Sequence, residues 1–182
     1  MTLRLGQDWN RDAPTADDVN GQIDGAPPLT LVLGFGNILL SDDGAGIRLV
    51  ARLCTELGAD AATFVDGGTL SFNLLHYIEA TDSMLVIDAA DLNEAAGSIG
   101  LFEGAQMDDF LASTRRRTVH EVGLIDLLDM ARLQQCLPRR RALLCIQPAR
   151  IAWSEALSAP VAQALPEASR QARALLRRWV NT

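Results

Sequence analysis

Carboxylates and a histidine are the residues of this chain whose types and spacing suggest chemistry. Asp42 and Asp43 follow a glycine-containing loop in the stretch GFGNILLSDDGAG, and Asp88 ends the apolar run SMLVID. His120, one of two histidines, lies at a predicted junction between a loop and a helix. Two carboxylates and one imidazole suit a borderline divalent ion such as nickel, zinc or iron better than magnesium. These residues therefore indicate a candidate metal site.

Alternating strands and helices are predicted to position these side chains. Five apolar runs predict strands, the fourth of them at a sheet edge: LTLVLGFG, ATFVDGG, SMLVIDAAD, GSIGLFEG and RRALLCIQP. Apolar residues at helical spacing predict a helix after the first strand, a short helix from Phe72 to Ala80, an amphipathic helix over 121–135 and a C-terminal helix opened by Pro166. The alternation predicts an α/β sandwich around a mostly parallel sheet.

Three acids come at the ends of the first three predicted strands. Asp43 follows the first strand, Asp66 ends the second and Asp88 ends the third. In open α/β sheets, ligands bind beyond the carboxyl ends of the strands. We therefore expect these acids to gather along one rim of the sheet.

Turn and cap chemistry offers a structural interpretation of two acids. Asp42 precedes a predicted helix, where a carboxylate can cap free N–H groups. Asp66 begins the sequence Asp-Gly-Gly, which is typical of a turn. Asp88 differs, because an ionised carboxylate at the end of the most apolar strand needs a partner or a metal.

A dinucleotide site is another interpretation of the first loop. The GxGxxG fingerprint requires a third glycine, but Leu39 stands at that position after Gly34 and Gly36. Asp42 and Asp43 would also occupy the helix start that receives a pyrophosphate, and carboxylates there repel it. The loop is therefore a weak match to a nucleotide site.

Composition limits the class of protein. The 182 residues, 48% of them hydrophobic, suffice for one domain with a core, expected at 29–182. Residues 1–28 are rich in Asp, Gly, Pro and Asn and predict a flexible extension. A net charge of -7 argues against nucleic acid or an anionic membrane as a partner. Because no secretory signal is recognised and the three cysteines are widely spaced, we expect a cytoplasmic protein with reduced thiols.

Five segments, in this order, resemble the nickel–iron hydrogenase maturation endopeptidases: GFGNILLSDDGAG, VDGGT, LVIDAAD, HEVGLIDLL and IQP. The resemblance runs from about Leu29 to near the C-terminus. It implies a three-layer α/β/α sandwich around a twisted, five-stranded, mostly parallel but mixed sheet. It also implies a monomer that removes a C-terminal extension from the hydrogenase large-subunit precursor after nickel insertion.

The resemblance assigns roles to residues by motif position. It implies that Asp43, Asp88 and His120 are the metal-binding and catalytic residues. Many family members have glutamate where this chain has Asp43, so Asp42 stays open as the alternative ligand, although the register of the motif favours Asp43. The residues expected to bind the substrate are Gly36, Asn37, Asp66, Gly67 and Gly68. The glycines of the loop allow another chain to approach closely.

Nickel supplied by the substrate precursor is the expected cofactor, and another divalent ion is an alternative in vitro. The sequence contains neither a GxSxG nucleophile elbow nor an HExxH zinc motif. We therefore expect the two acids and the histidine to complete the coordination of nickel that the precursor already holds. Two other functions stay open: a nickel-dependent docking module that does not cut, and a nucleotide-dependent α/β enzyme.

Overall fold

The computed structural model describes residues 30–69, 74–114 and 119–180, without the side chains of residue 114 and residues 119–122. The extension predicted at 1–28 lies outside the described residues. All five predicted strands are present in one sheet: β1 (Thr30–Phe35), β2 (Thr63–Gly68), β3 (Ser83–Ala89), β4 (Ile99–Glu103) and β5 (Arg140–Ile146).

The sheet is mixed and mostly parallel, with the strand order β2-β1-β3-β5-β4. β1 pairs in parallel with both β2 and β3, β3 pairs in parallel with β5, and β4 runs antiparallel to β5 at one edge. The mixed sheet and the edge position of the fourth strand are thereby confirmed. The carboxyl ends of β2, β1 and β3 lie side by side.

Helices cover both faces of the sheet, which confirms the three-layer α/β/α sandwich. Helices α1 and α5 share one core with the sheet, and α2, α3 and α4 share the other. Within the described residues the helices are α1 (Ala45–Leu57), α2 (Leu75–Glu79), α3 (Ala105–Thr114), α4 (Val119–Leu133) and α5 (Ala159–Val180). None of these helices has the length and apolar character needed to cross a membrane.

Strand β3 carries alternate side chains into the two cores. Met84 and Val86 pack in the core of α2, α3 and α4, whereas Leu85 and Ile87 pack in the core of α1 and α5. Burial of each such side chain contributes roughly 1.5–3 kcal/mol, so this central strand is firmly placed. By the same alternation, Asp88 belongs to the face against which α4 packs.

The C-terminal helix begins earlier than the sequence predicts. Pro166 does not open α5 but lies inside it, and Pro160 occupies the first turn instead. An interior proline removes the hydrogen bond to the carbonyl four residues before it. Here that carbonyl belongs to Ala162, and both residues are exposed, so water can satisfy the oxygen.

Helix α3 was not predicted from the sequence. Its buried apolar side chains include only Met107 and Leu111, one turn apart, so its apolar stripe is short. Tertiary packing against the sheet, rather than local periodicity, fixes such a helix. The predicted amphipathic helix over 121–135 is present as α4, shifted by two residues.

Candidate functional site

Asp43 lies in a buried turn between β1 and α1. A 3-10 turn, Asp42–Gly44, precedes α1, and only 5% of Asp43 is exposed. Its Oδ2 accepts a hydrogen bond from the backbone N–H of Asn37 at 2.8 Å. The loop of residues 36–41, called the rim loop below, therefore holds the Asp43 carboxylate.

Two glycines bring backbone segments together at this turn. Gly36 has φ 125°, and a Cβ added to it would lie 1.8 Å from the carbonyl oxygen of Asp43. A Cβ on Gly46 would lie 2.4 Å from the carbonyl oxygens of both Phe35 and Ile87. These two glycines are therefore required by packing within the chain, because the start of α1 packs directly on the ends of β1 and β3, and the approach of another chain to the loop stays a prediction.

Asp88 occupies the end of the most buried strand, as the sequence predicts. It is 4% exposed, and its Oδ1 accepts the backbone N–H of Ala89 at 2.8 Å. In the β3–β5 ladder it lies opposite Cys145, in the interior of the sheet. An ionised carboxylate so far removed from water is stabilised by hydrogen bonds or by a cation.

The rim of the sheet brings the Asp43 and Asp88 segments together. Gly46 follows Asp43 by three residues, and its backbone lies against the carbonyl of Ile87, the residue before Asp88. Both carboxylates are almost fully buried. The backbone segments that carry these two acids are distant in sequence, but they therefore lie next to each other at the carboxyl ends of the parallel strands.

His120 lies in the first turn of α4, the helix that packs on the Asp88 face of the sheet. Its side chain is outside the described part of the structure, so its role as third ligand stays a prediction. Among the described side chains, no group of three His, Cys, Asp or Glu residues is placed to hold a metal ion. Asp43 and Asp88 fit part of a coordination shell, as anionic oxygen ligands.

Asp42 serves a purpose that the sequence did not indicate. It is 0% exposed, and no side-chain cap was found at the start of α1 or of the preceding turn in the described chain. Its Oδ2 accepts the backbone N–H groups of Ala149 and Arg150 at 2.9 and 3.1 Å, and its Oδ1 accepts that of Ser158 at 2.7 Å. The predicted helix cap is therefore wrong, because the carboxylate bonds a distant segment instead.

These hydrogen bonds also determine the charge state of Asp42. Burial by itself would raise the pKa of the carboxyl, but the hydrogen bonds from Ser158, Arg150 and Ala149 outweigh it and hold the pKa below its usual value. Asp42 is consequently ionised at neutral pH, and its two oxygens are both used by backbone donors.

Asp66 makes a side-chain turn as its sequence predicts, but it does so inside β2, whose pairing continues to Gly68 instead of ending at Asp66. It is exposed, and its Oδ1 accepts the backbone N–H of Gly68 at 2.8 Å. The carbonyl of Gly68 in turn accepts the N–H of Gly36 at 2.8 Å. In the β1–β2 ladder, Phe35 pairs with Gly68 and leaves Gly67 as an irregularity. The end of β2 is thereby attached to the rim loop beside Asn37.

Sequence reasoning did not predict that the segment 147–158 pairs with the rim loop. The N–H of Ser41 donates to the carbonyl of Ser154 at 2.7 Å, and the N–H of Ser154 donates to the carbonyl of Leu39 at 3.0 Å. Large apolar side chains are exposed on both segments: Ile38 (37%), Leu39 (44%), Ile151 (55%) and Trp153 (83%). We call these four the apolar patch. Their exposure is a tertiary property, and no periodicity signals it.

Comparison with known protein families shows to which family this chain belongs. The family described as hydrogenase maturation protease matches residues 47–174. A hydrogenase expression/formation protein, HupD of Rhizobium leguminosarum bv. viciae, is 33% identical over 155 residues, covering 84% of this chain and 76% of HupD. The hydrogenase 2 maturation protease of Escherichia coli K12 is 29% identical over 149 residues, covering 81% of this chain and 90% of that protein.

Solved structures agree with this placement. The hydrogenase maturating endopeptidase HybD from E. coli has a TM-score of 0.73 and 26% sequence identity. The match covers 82% of this chain and 93% of HybD. The sandwich described above is therefore the fold of that endopeptidase.

Proposed function

Because the chain belongs to the hydrogenase maturation protease family, we propose that it removes a C-terminal extension from the large-subunit precursor of a nickel–iron hydrogenase. That the chain is a peptidase follows from the family itself. The observation that carries the finer proposal is the pair of buried carboxylates, Asp43 and Asp88, at one rim of the sheet.

Nickel in this reaction belongs to the substrate. Asp43, Asp88 and His120 would complete the coordination of an ion that the precursor already holds. Electrostatic attraction is stronger where water is excluded, so two nearly buried carboxylates favour binding of a cation. Cutting would then depend on nickel loading. The bound ion can also polarise a carbonyl or activate a water molecule at the scissile bond.

Exposed side chains beside the rim support a polypeptide substrate. The apolar patch lies on the rim loop and on the segment paired with it, next to the Asn37–Asp43 hydrogen bond. Apolar side chains of this size that cluster on a surface are typical of an interaction site. Of the residues expected to bind the substrate, Gly36 belongs to the same loop, and Asp66, Gly67 and Gly68 are joined to it through the bond between Gly36 and Gly68.

The two alternative functions have weaker support. A docking module without catalysis does not agree with membership of a protease family. For a nucleotide-dependent enzyme, the helix start after β1 would have to receive phosphate. That position is taken by Asp42 and Asp43, whose carboxylates are buried there.

Incubation of the purified protein with nickel-loaded and nickel-free precursor tests the proposal, read by intact mass. We expect loss of a C-terminal peptide from the loaded precursor only. Asp88→Ala and His120→Ala should abolish this loss, whereas Asp60→Ala, at an exposed position outside the rim, should leave it unchanged.

Each other result of this experiment would contradict a different part of the proposal. Cutting of both precursor forms would remove nickel recognition but retain the protease. Binding of the precursor without cutting of either form would favour the docking module. Full activity of both Asp88→Ala and His120→Ala would contradict the assignment of the metal ligands.

A further inference from the structure

The carboxylate of Asp42 is occupied entirely by a segment more than a hundred residues away. Three backbone N–H groups converge on it, those of Ala149, Arg150 and Ser158, at distances of 2.7 to 3.1 Å. With 0% of the residue exposed, water does not compete for either oxygen. Charged hydrogen bonds of this kind are the strong ones in proteins.

The turn that Asp42 fixes is conformationally strained. Ser41, which precedes it, has φ 57° although it is not a glycine. Such a conformation persists only where the surrounding structure determines it. Ser41 is itself bonded to the same distant segment, through its N–H to Ser154 and its Oγ to the carbonyl of Ala156. The segment 147–158 therefore imposes the direction in which the chain enters the turn.

Asp43 is the next residue in this turn, and its backbone has little freedom. On one side it is bonded covalently to Asp42, and on the other its carbonyl lies against Gly36. Its carboxylate points to the N–H of Asn37 at 2.8 Å. A displacement of Asp42 must therefore be transmitted to the Asp43 carboxylate.

We propose that Asp42 is a positioning residue, whose bonds to Ala149, Arg150 and Ser158 set the orientation of Asp43 toward the reacting centre. It does not itself contact the substrate or its metal. The consequence for cutting rests on the proposed function, whereas the effect on the geometry of Asp43 does not. This also answers which of the two adjacent acids is available as a ligand, because the oxygens of Asp42 are already used.

Amide hydrogen exchange, measured by NMR on the full chain, tests the positioning directly. In Asp42→Asn, one side-chain oxygen becomes an NH2 group that faces a backbone donor, so at least one bond to the segment is lost. We expect the Asn37 amide, which is bonded to Asp43, to exchange at least about tenfold faster, as loss of a protecting bond implies. Val86, in the central strand, should exchange as in the wild type. Asp60→Asn is the matched control, because it makes the same charge change at an exposed site.

Wild-type protection of Asn37, together with faster exchange at Ala149, Arg150 and Ser158, would overturn the proposal. Asp42 would then only attach the segment. If Asp42→Asn also makes the Val86 amide exchange faster, the change affects the sheet as a whole. The exchange rate of the Asn37 amide in Ala149→Pro then tests the proposal instead. This change removes a single donor at an exposed position and leaves the carboxylate in place.

Cleavage kinetics supply the second readout. For Asp42→Asn we expect kcat on nickel-loaded precursor to fall at least about tenfold with little change in KM, because the loss concerns the reacting geometry. A variant that is only less stable contains fewer folded, active molecules. Dividing the measured rate by the concentration of folded protein corrects kcat for this loss. Unchanged corrected kcat would contradict the positioning role. A wild type that cuts no precursor would contradict the proposed function and leave the exchange result standing.

Discussion

The Cα of Gly36 faces the carbonyl oxygen of Asp43 so closely that a methyl group added to it would lie 1.8 Å from that oxygen. Contact between these two residues closes the rim loop over the start of α1. It places a proposed metal ligand at a fixed distance from the end of β1. The activity of the protein should accordingly depend on the absence of a side chain at residue 36.

Replacement of Gly36 by alanine should reduce both stability and cutting. Its φ of 125° is unfavourable for alanine, and the methyl group would displace the Asp43 backbone. We expect the free energy of unfolding to fall by more than the roughly 1–2 kcal/mol that a left-handed conformation costs. Urea denaturation measures the first effect, and intact-mass kinetics measure the second.

Gly104→Ala is the matched control for Gly36→Ala. Gly104 also has a positive φ, 53°, but nothing lies within 4 Å of an added Cβ. It should therefore show the conformational cost alone, with full cleavage activity. Equal destabilisation by the two changes would mean that the Asp43 backbone moves aside without penalty.

Asp66 should act through its turn rather than through its charge. Asparagine can accept the same N–H of Gly68 that Asp66 accepts, whereas alanine cannot. We expect Asp66→Asn to retain cleavage activity and Asp66→Ala to lose several-fold in kcat/KM, with about 1 kcal/mol less stability. Loss of activity in both variants would instead show that the carboxylate charge takes part.

Trp153 should affect substrate binding without affecting folding. With 83% of the residue exposed, Trp153→Ala removes little buried surface and should change the free energy of unfolding by less than about 0.5 kcal/mol. Because the residue belongs to the apolar patch, we expect KM for the precursor to rise about fivefold or more at unchanged kcat.

Leu133→Ala is the control for Trp153→Ala. Leu133 is equally exposed, at 83%, but lies at the end of α4 and outside the apolar patch. It should leave KM at the wild-type value. A rise in KM for Leu133→Ala equal to that for Trp153→Ala would show a nonspecific effect of surface hydrophobicity.

Asp108 should stabilise the fold at neutral pH and not in acid. Burial alone would raise the pKa of its carboxyl, but hydrogen bonds and charge from Arg141 and Arg132 lower it below the usual value. A pKa lower in the folded than in the unfolded protein gives stability that is complete above the unfolded value, about 4, and lost as pH falls through the folded value.

Comparison of Asp108→Asn with the wild type by urea denaturation tests this. We expect a loss of about 1–2 kcal/mol at neutral pH, since the bonds to Arg141 are charged and partly buried. The difference should shrink as the pH falls below about 4. The exposed neighbour Asp109, changed to Asn, should show little loss at either pH. A difference for Asp108→Asn that does not depend on pH would exclude the charge as its cause.

Apolar patterning along the chain was enough to predict the strands and the rim on which the acids lie. Runs such as SMLVID are buried within a sheet, and their alternation with helices makes that sheet mostly parallel. The places of Asp43 and Asp88 follow from the strand ends alone, because a parallel sheet brings these ends to one edge. Their burial at that edge agrees with this prediction.

The tertiary structure determined the role of Asp42, the start of α5 and the exposure of Trp153. The first and the third depend on groups that are distant in sequence: three N–H donors beyond residue 148 and a segment paired with the rim loop. The start of α5 depends on solvent access, because Ala162, whose carbonyl loses its partner to Pro166, is exposed. Local patterns report which residues prefer burial or a turn. Which donor reaches a carboxylate is decided by packing between segments that the sequence does not place side by side.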